Sequence, residues 1–279
     1  MKLTDKKPSS THRVLVFGQP KSGKTQLVSS LAAKYKLLWF DLEQGYATLL
    51  KLPQEQQENI ELLCIPDSRT FPIAVETLLK VVNGHPCKIC DEHGKVGCAI
   101  CTKSGTPFTT VDINAIDHNT ILVIDSLTQF TNSAIAWITK NQPDDYKMQF
   151  DDWGTLRTIV EKLLSQIQAM PCNVVAISHE EEVEMEDGRK KIVPVCGSSK
   201  SSRNTARYFD HVVYCEVKNK KHVAASSTTY MNNILTGSRS DVVLEDNSST
   251  LLSIFTGEIP TQTITSNQKT VSILSKLSK

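Results

Sequence analysis

The sequence predicts an α/β fold, in which a mostly parallel sheet carries helices on both faces. Uninterrupted apolar runs such as residues 13–17 and 120–125 end at a glycine or an acid, and such runs indicate strands buried on both faces. Amphipathic stretches alternate with these runs, which is typical of parallel strands joined by helices. Later apolar runs follow one another without helices between them, which indicates an antiparallel C-terminal extension.

Composition favours one large domain with polar ends. The chain has 279 residues and a formal net charge of +1, so any binding of polyanions must come from local patches. No apolar run approaches the roughly 20 residues that span a bilayer, and the first residues lack a secretion signal. We therefore expect a cytoplasmic protein without membrane contact. The expected organisation is a flexible tail at 1–11, a core at 12–260 with a four-cysteine insertion at 84–107, and a flexible tail at 261–279.

The expected elements follow in chain order. Strands of the parallel sheet are expected at the apolar runs, which are residues 13–17, 37–41, 120–125 and 173–178. Helices are expected where apolar residues recur at three- and four-residue steps, at residues 26–36, 73–82 and 153–170. Residues 130–153 contain a loop signal. The later strands are expected at residues 211–216, 229–235 and 251–255.

The first strand leads directly into a phosphate-binding loop. Gly18-x-x-x-x-Gly23-Lys24-Thr25 matches the P-loop pattern in full. The glycines let backbone N–H groups turn toward phosphate oxygens, and the following helix adds the positive end of its dipole. We expect Lys24 to reach the phosphates and the Thr25 hydroxyl to bind Mg²⁺. The expected nucleotide-binding residues are Gly18, Gln19, Pro20, Lys21, Ser22, Gly23, Lys24, Thr25 and Gln26.

Acidic residues follow two of the other predicted strands. The run at 120–125 ends in Asp125, the arrangement of a Walker B strand, so we expect Asp125 to hold Mg²⁺. The run at 37–41 is followed by Asp41-Leu42-Glu43, at the sheet edge where ligands bind in open α/β sheets. Glu43 is placed to polarise an attacking water. The alternative is that Asp41 and Glu43 only cap the next helix.

Together these motifs resemble those of the RecA-like ATPases, over roughly residues 12–257. The compact size is similar to that of the phage-type members associated with single-strand annealing and recombination. The resemblance implies ATP hydrolysis with Lys24, Glu43 and Asp125 as catalytic residues, and a polar sensor after the run at 173–178, where His179 stands in place of the usual glutamine. It also implies single-stranded DNA as a partner, a ring or filament of identical subunits, and a single-strand DNA-binding protein as a further partner.

The insertion contains a short internal repeat, Cys-x-Ile-Cys-x-x-x-Gly, at residues 87–94 and 98–105. Paired cysteines in tight turns are typical of zinc knuckles, and four thiolates complete a tetrahedral site. We therefore expect Zn²⁺ bound by Cys87, Cys90, Cys98 and Cys101, with His85 and His93 as substitute ligands. The expected role is structural, and the alternative is contact with DNA, a neighbouring subunit or a replication protein.

A charged hairpin and a basic segment follow the sensor position. Asp187-Gly188 is a two-residue turn signal, which would place Glu186 opposite Arg189 and Glu184 opposite Lys191 as cross-strand ion pairs. The segment 197–203 is small, polar and expected to be a flexible loop. Three basic residues could neutralise the phosphates of DNA there, namely Lys200, Arg203 and Arg207. Tyr208 and Phe209 would either stack on bases or belong to the core.

Four basic residues after the late strands are candidate finger residues, which means basic side chains that contact the nucleotide bound by a neighbouring subunit. They are Lys218, Lys220, Lys221 and Arg239, and the alternative is that they are solvated surface charges. Two other functions remain open at this stage. One is a small-molecule (nucleotide) kinase with a zinc element, although the insertion here precedes the Walker B strand. The other is a nucleotide-gated DNA-binding module without significant turnover.

Overall fold

The fold is organised around a sheet that has nine strands in the described part of the chain. The computed structural model describes residues 11–185, 187–227, 233–239, 244, 248 and 250–257. The predicted tails, except for Thr11, therefore lie outside the described residues. The strands are β1 Arg13–Gly18, β2 Lys36–Asp41, β3 Ile60–Cys64, β4 Cys87–Cys90, β5 Phe108–Val111, β6 Thr120–Asp125, β7 Asn173–Glu184, β8 Lys190–Pro194, β9 His211–Lys218, β10 Lys221–Ala225 and β11 Gly237–Ser238.

Strand order places the P-loop near the middle of the sheet. The order is β10-β9-β1-β7-β6-β2-β3, with β8 beside β7 and β11 beside β9. The strands from β9 to β3 in this order pair in parallel, whereas β8, β10 and β11 pair antiparallel. The carboxyl ends of β1, β2, β6 and β7 therefore meet at one edge. The predicted parallel core with antiparallel C-terminal strands is confirmed.

Helices cover both faces of the sheet, as predicted. They are α1 Lys24–Ser29, α2 Gln54–Gln57, α3 Ile73–Val81, α4 Ala99–Ser104, α5 Leu127–Thr139, α6 Phe150–Ala169, α7 Ser199–Asn204 and α8 Leu252–Thr256. Neighbouring residues of β1 face opposite sides of the sheet. Leu15 packs with α3, α5 and α6 on one side, and Val16 packs with α1 and α8 on the other. No helix of the described residues is long and apolar enough to span a membrane.

The insertion, residues 84–107, leaves the core after α3. Its first strand, β4, pairs antiparallel with β5 just beyond it, and Cys87 lies opposite Val111. Helix α4 begins at Ala99, next to Cys98. The hydrophobic cluster of this unit is small, since it consists of Cys90, Cys98, Cys101 and the partly buried Phe108. Ile89 and the partly buried Cys87 and Val96 of the insertion pack in the main core instead, and a bound metal could supply further folding energy.

Several predicted elements are wrong in type or length. Residues 251–255 form helix α8 instead of a strand, because Leu251 and Ile254 face the core at helical spacing and Gly257 ends the helix with φ of 69°. Helix α1 ends at Ser29 and continues as a 3₁₀ helix, Ser30–Ala33. The loop expected within 130–153 is present, between the end of α5 at Thr139 and the start of α6 at Phe150. The strand predicted at 229–235 lies partly outside the described residues.

The charged hairpin forms, but its register differs from the prediction by one residue. Glu184 lies opposite Lys190, and Val183 lies opposite Lys191. The turn is one residue longer than a two-residue turn, since the N–H group of Met185 donates to the carbonyl oxygen of Arg189 at 2.8 Å. One ion pair in this hairpin is diagonal, from Lys190 Nζ to Glu182 Oε1 at 2.7 Å, and another joins Arg189 and Asp187 in the turn. Glu186 lies outside the described residues.

Candidate nucleotide-hydrolysis site and metal cluster

The P-loop turns sharply between β1 and α1. Gly18 and Gly23 have φ of 155° and 93°, and a Cβ atom at Gly18 would lie 2.1 Å from the carbonyl oxygen of Cys215. The Lys24 side chain lies within this turn and donates to the carbonyl oxygens of Gly18 and Gln19 at 3.0 and 2.7 Å. Burial lowers the pKa of Lys24. Phosphate oxygens would be natural replacements for these carbonyl acceptors.

Two oxygen donors suited to Mg²⁺ lie next to the P-loop. The Thr25 hydroxyl donates to Asp125 Oδ2 at 3.1 Å, although the two residues are far apart in sequence. Burial, with smaller effects from Glu43 and Asp41, raises the pKa of Asp125 to about 7. A divalent cation here would stabilise the charged carboxylate, and hydroxyl and carboxylate oxygens are suitable ligands. The residues therefore fit the predicted magnesium site.

The side chains of Asp41 and Glu43 make different contacts. The alternative that both only cap the next helix therefore applies to Asp41 alone. The Asp41 carboxylate is buried and accepts hydrogen bonds from the N–H groups of Glu43, Gly45 and Tyr46 at 3.0–3.2 Å. Burial raises the pKa of Asp41, and these hydrogen bonds oppose the rise. Asp41 thus holds the loop that leads into the 3₁₀ helix Tyr46–Lys51. Glu43 projects away from this cap toward the P-loop cavity.

Two side chains orient the Glu43 carboxylate. The Ser126 hydroxyl donates to Glu43 Oε1, and His179 Nε2 lies 3.2 Å from the same oxygen. Burial alone would raise the pKa of Glu43, but the hydrogen bonds from His179 and Ser126 prevail and lower it. His179 Nδ1 is also 3.4 Å from Lys24 Nζ. Because the lysine ammonium can only donate, His179 accepts at Nδ1 and donates from Nε2.

These groups line one cavity of about 450 Å³, a size suited to a nucleotide. Lys24, Thr25, Glu43, Asp125 and His179 all contribute to its wall, and His222 lies at its rim. The N–H of His222 Nδ1 donates to the carbonyl oxygen of Ser22 in the P-loop at 2.7 Å. The cavity therefore combines a phosphate cradle, a magnesium site and an oriented carboxylate.

A profile of an AAA domain family matches residues 10–240. The chain belongs to this AAA domain family. The match spans the P-loop, Glu43, Asp125 and His179, so the AAA domain and the cavity occupy the same part of the chain. Together they show a P-loop domain of the AAA family. No curated protein sequence matches the chain.

Two solved structures resemble the AAA domain. One is an ATPase from the type III secretion system of pathogenic bacteria, with 14% identity, a TM-score of 0.44, and coverage of 75% of this chain and 52% of that chain. The other is a KaiC-like protein from Pyrococcus horikoshii OT3, with 12% identity, a TM-score of 0.38, and coverage of 78% and 77%. The AAA domain protein thus spans about half the length of the type III secretion ATPase.

A second polar cluster lies in the insertion of the AAA domain. One ligand atom from each of four residues lies within 4.8 Å of all the others, and the four are Cys90, His93, Cys98 and Cys101. His93 Nδ1 is 3.0 Å from Cys101 Sγ and 3.9 Å from Cys98 Sγ. A hydrogen bond from the N–H group of Cys101 is the main cause that lowers the pKa of Cys98 to about 7. Three sulfurs and one imidazole form a recognised zinc donor set, so this cluster could bind Zn²⁺.

Cys87 is not a member of this cluster, so the predicted four-cysteine set is wrong at that position. Cys87 and Cys90 lie three residues apart on β4, and residues at odd spacing on a strand point to opposite faces. Cys87 packs against the main core, whereas Cys90 belongs to the cluster. His93 takes the fourth place, as the sequence allowed. His85 is not in the cluster.

The predicted DNA-binding residues lie on two short helices instead of a flexible loop, since Arg207 belongs to the 3₁₀ helix Thr205–Tyr208 that follows α7. Residues 199–204 form α7, and the Ser198 side chain caps it by accepting from the N–H group of Ser201. Lys200 and Arg207 are exposed, whereas Arg203 is half-buried. Tyr208 and Phe209 are core residues, so stacking of bases on their rings is ruled out. The segment returns beside the cavity, since the N–H group of Val195 donates to the carbonyl oxygen of His179 at 2.9 Å.

The predicted finger residues lie at two different edges of the sheet. Lys220 and Lys221 lie at the β9–β10 turn, on the same edge as the P-loop that His222 contacts. Lys218 Nζ pairs with Glu216 at 2.9 Å. Arg239 lies at the opposite edge, 3.8 Å from Asp210.

Sequence reasoning missed two contributors to the site. Ser126 orients Glu43, and His222 contacts the P-loop. The Asp-Ser pair after a predicted strand was the available signal for Ser126. Nothing in the sequence near His222 points to the P-loop, because Ser22 lies 200 residues away along the chain.

Proposed function

We propose that this protein hydrolyses ATP and uses the hydrolysis to act on single-stranded DNA in recombination or annealing. The observation that carries the hydrolytic half is the orientation of Glu43 by Ser126 and His179, opposite Lys24. The lowered pKa keeps the Glu43 carboxylate ionised, and an ionised carboxylate held by two donors can orient and polarise an attacking water. Thr25 and Asp125 would hold Mg²⁺, which would neutralise phosphate charge when bound.

The hydrolytic role is tested with E43Q and K24A. E43Q should bind ATP normally but lose at least about 100-fold in kcat, as expected for loss of a general base. K24A should lose nucleotide-dependent activity while the metal content of the insertion stays unchanged. Full turnover by E43Q would reject Glu43 as the base.

Phosphate transfer to a nucleoside monophosphate by the unmodified protein would favour the kinase alternative, and binding without turnover would favour the gated module.

The DNA half of the proposal is supported by the position of α7. This helix follows Val195, whose N–H group is bonded to the backbone of His179, the residue that touches both Lys24 and Glu43. Lys200 and Arg207 extend into solvent from this region, and Arg207 lies 4.0 Å from Glu161 of α6. A basic helix joined directly to the nucleotide site would couple phosphate-backbone binding to the nucleotide state.

A double variant tests this assignment. Lys200→Ala with Arg203→Ala should weaken binding of single-stranded DNA at low salt, and should reduce the salt slope by about 1.4, or about 0.7 for each lost phosphate contact. Lys34→Ala with Lys36→Ala is the matched control, because it also removes two charges, but near the start of β2 at the other edge of the sheet. Equal affinity of both double variants for DNA would reject the assignment. Stimulation of the ATPase of the unmodified protein by DNA would support it.

The proposal includes a homo-oligomeric ring or filament in which Lys220 or Lys221 reaches the nucleotide of a neighbouring subunit. Lys218 and Arg239 are further finger residues of the proposal, despite their ion pairs within one chain. Mixing K221A with E43Q tests this arrangement, since each variant supplies what the other lacks. Recovery of turnover in the mixture is expected, and strictly additive low activities would contradict it. A single-strand DNA-binding protein is a further proposed partner.

A further inference from the structure

Gly94 of the insertion lies against the end of strand β3 of the central sheet. Gly94 has φ of 59°, and a Cβ atom there would lie 2.6 Å from the carbonyl oxygen of Cys64 and 2.7 Å from Ile65 Cα. The Thr77 hydroxyl of α3 donates to the carbonyl oxygen of Gly94 at 2.9 Å in a buried position. The backbone of Gly94 is therefore held between the end of β3 and helix α3.

The end of β3 is in turn bonded to the residue that supports Glu43. The N–H group of Ile65 donates to the carbonyl oxygen of Asp41 at 2.9 Å. Ile65 and Asp41 are both buried, and the Asp41 side chain accepts from the N–H group of Glu43. A continuous path of contacts thus runs from Gly94 through Ile65 and Asp41 to Glu43.

The Cys/His cluster fixes the start of this path. Its member His93 directly precedes Gly94, and the carbonyl oxygen of Cys90, another member, accepts from the N–H group of Gly94 at 2.9 Å. Apart from the cluster's own cysteines, the only apolar side chain that packs there in the described residues is Phe108. A metal bound by the cluster would therefore help to hold Gly94 in place, together with the hydrogen bond from Thr77 and the packing of Ile89 and Val96 in the main core.

We propose that the insertion is a buttress for the Glu43 loop and that Gly94 is the positioning residue through which it acts. The proposal assigns the insertion a role in turnover without contact with nucleotide, since no residue among those that line the nucleotide cavity belongs to 84–107. It rests on the proposed role of Glu43 as the base.

A pair of glycine variants provides the test. Gly94 and Gly97 lie in the same segment, and both have positive φ, at 59° and 66°, so alanine strains the backbone similarly at each. Only Gly94 meets backbone atoms of β3, because a Cβ atom at Gly97 has no neighbour within 4 Å. Full-length G94A should lose at least about tenfold in kcat while its Kd for ATP stays within about twofold. G97A should match the unmodified protein.

Two further readouts separate positioning from general damage. Metal analysis should find the same zinc content in G94A and G97A. Hydrogen exchange followed by mass spectrometry should show faster exchange of the amides at 42–46 in G94A but not in G97A. Thr77→Val, which keeps the shape of the side chain but removes its hydrogen bond to Gly94, should shift kcat and exchange in the same direction by a smaller factor.

The outcomes distinguish this proposal from the proposed function. If hydrogen exchange at 42–46 is unchanged in G94A, the insertion does not position the Glu43 loop, and Glu43 can still be the base. If G94A does not fold or loses its metal, unchanged exchange in T77V leads to the same conclusion. Faster exchange in G94A, combined with full activity of E43Q, keeps the structural link but rejects Glu43 as the base.

Discussion

The orientation of Glu43 depends on single hydrogen bonds, and Ser126 makes one of them. Its hydroxyl donates to Glu43 and also accepts from the N–H group of Gln129 as the N-cap of α5. Ser126→Ala should reduce kcat by about 10- to 100-fold, because a loosely held base reacts poorly. It should also cost about 1 kcal/mol of unfolding free energy through loss of the cap. Steady-state kinetics and urea unfolding measure the two effects.

Ser198→Ala is the matched control for this prediction. Ser198 caps α7 in the same way, so its replacement should cost similar stability but leave kcat unchanged in the absence of DNA. Equal kcat losses in both variants would show that Ser126 acts through stability alone.

His222 supports the P-loop from the opposite side of the cavity. Its ring donates to the carbonyl oxygen of Ser22 and lies against Gly23. His222→Ala should weaken ATP and ADP binding equally, by about three- to tenfold, because one hydrogen bond that shapes the P-loop is lost. Titration with fluorescent nucleotides measures this change. His118→Ala, an exposed position near the start of β6, should have no effect, and a loss confined to ATP would contradict the explanation.

At the scale of elements, the insertion gives a prediction about metal ligands. Cys87→Ser should retain one zinc per chain, because Cys87 points away from the cluster, whereas His93→Ala should lose most of it. Metal analysis of freshly purified protein measures the difference. Chelation of the unmodified protein should release the metal and increase proteolysis within residues 84–107. Loss of zinc from C87S with retention in H93A would restore the four-cysteine set, and absence of zinc from the unmodified protein would remove the site altogether.

Sequence patterns located the elements whose residues act locally. The P-loop, Asp125 and the buried strands were predicted because each depends on a short run of residues with a fixed geometry. Cys87 was misassigned because the repeat suggested a turn, whereas residues 87–90 form a strand that alternates its side chains. Helix α8 was misread because a five-residue apolar run has no clear period. His222 and Gly94 act across distances in sequence that no local pattern encodes.

At the scale of the whole molecule, stability should depend on pH through a buried histidine. His211 is 1% exposed, its ring faces His12 at 5.6 Å, and Ser238 lies 3.0 Å from its Nδ1. Burial lowers the pKa of His211 to about 4, with a smaller contribution from His12 and opposition from Asp210. The pKa of His211 is lower in the folded state than in the unfolded chain, so the unfolded state takes up the proton first as pH falls. The contribution of His211 to the free energy of unfolding is therefore complete above about pH 6.5 and is lost as pH falls toward 4.

The free energy of unfolding should fall by on the order of 3 kcal/mol between pH 6.5 and pH 4, taking 1.36 kcal/mol for each unit by which the pKa of His211 is lowered. Denaturant unfolding at a series of pH values measures it. H211Q cannot take up this proton, so its unfolding free energy should vary less between pH 6.5 and 4. A profile for H211Q as steep as that of the unmodified protein would assign the acid sensitivity to other groups.

Strand β7 connects two distant parts of the molecule in one piece. Its twelve residues span about 40 Å, from between the P-loop and Walker B strands to the charged hairpin with β8. His179 lies at the point where the sheet ends and the hairpin begins. A tilt of the hairpin would therefore change the angle at which His179 meets Lys24 and Glu43. If nucleotide affinity depends on that angle, a ligand that favours one tilt must alter nucleotide affinity by the same factor by which nucleotide alters the affinity for that ligand.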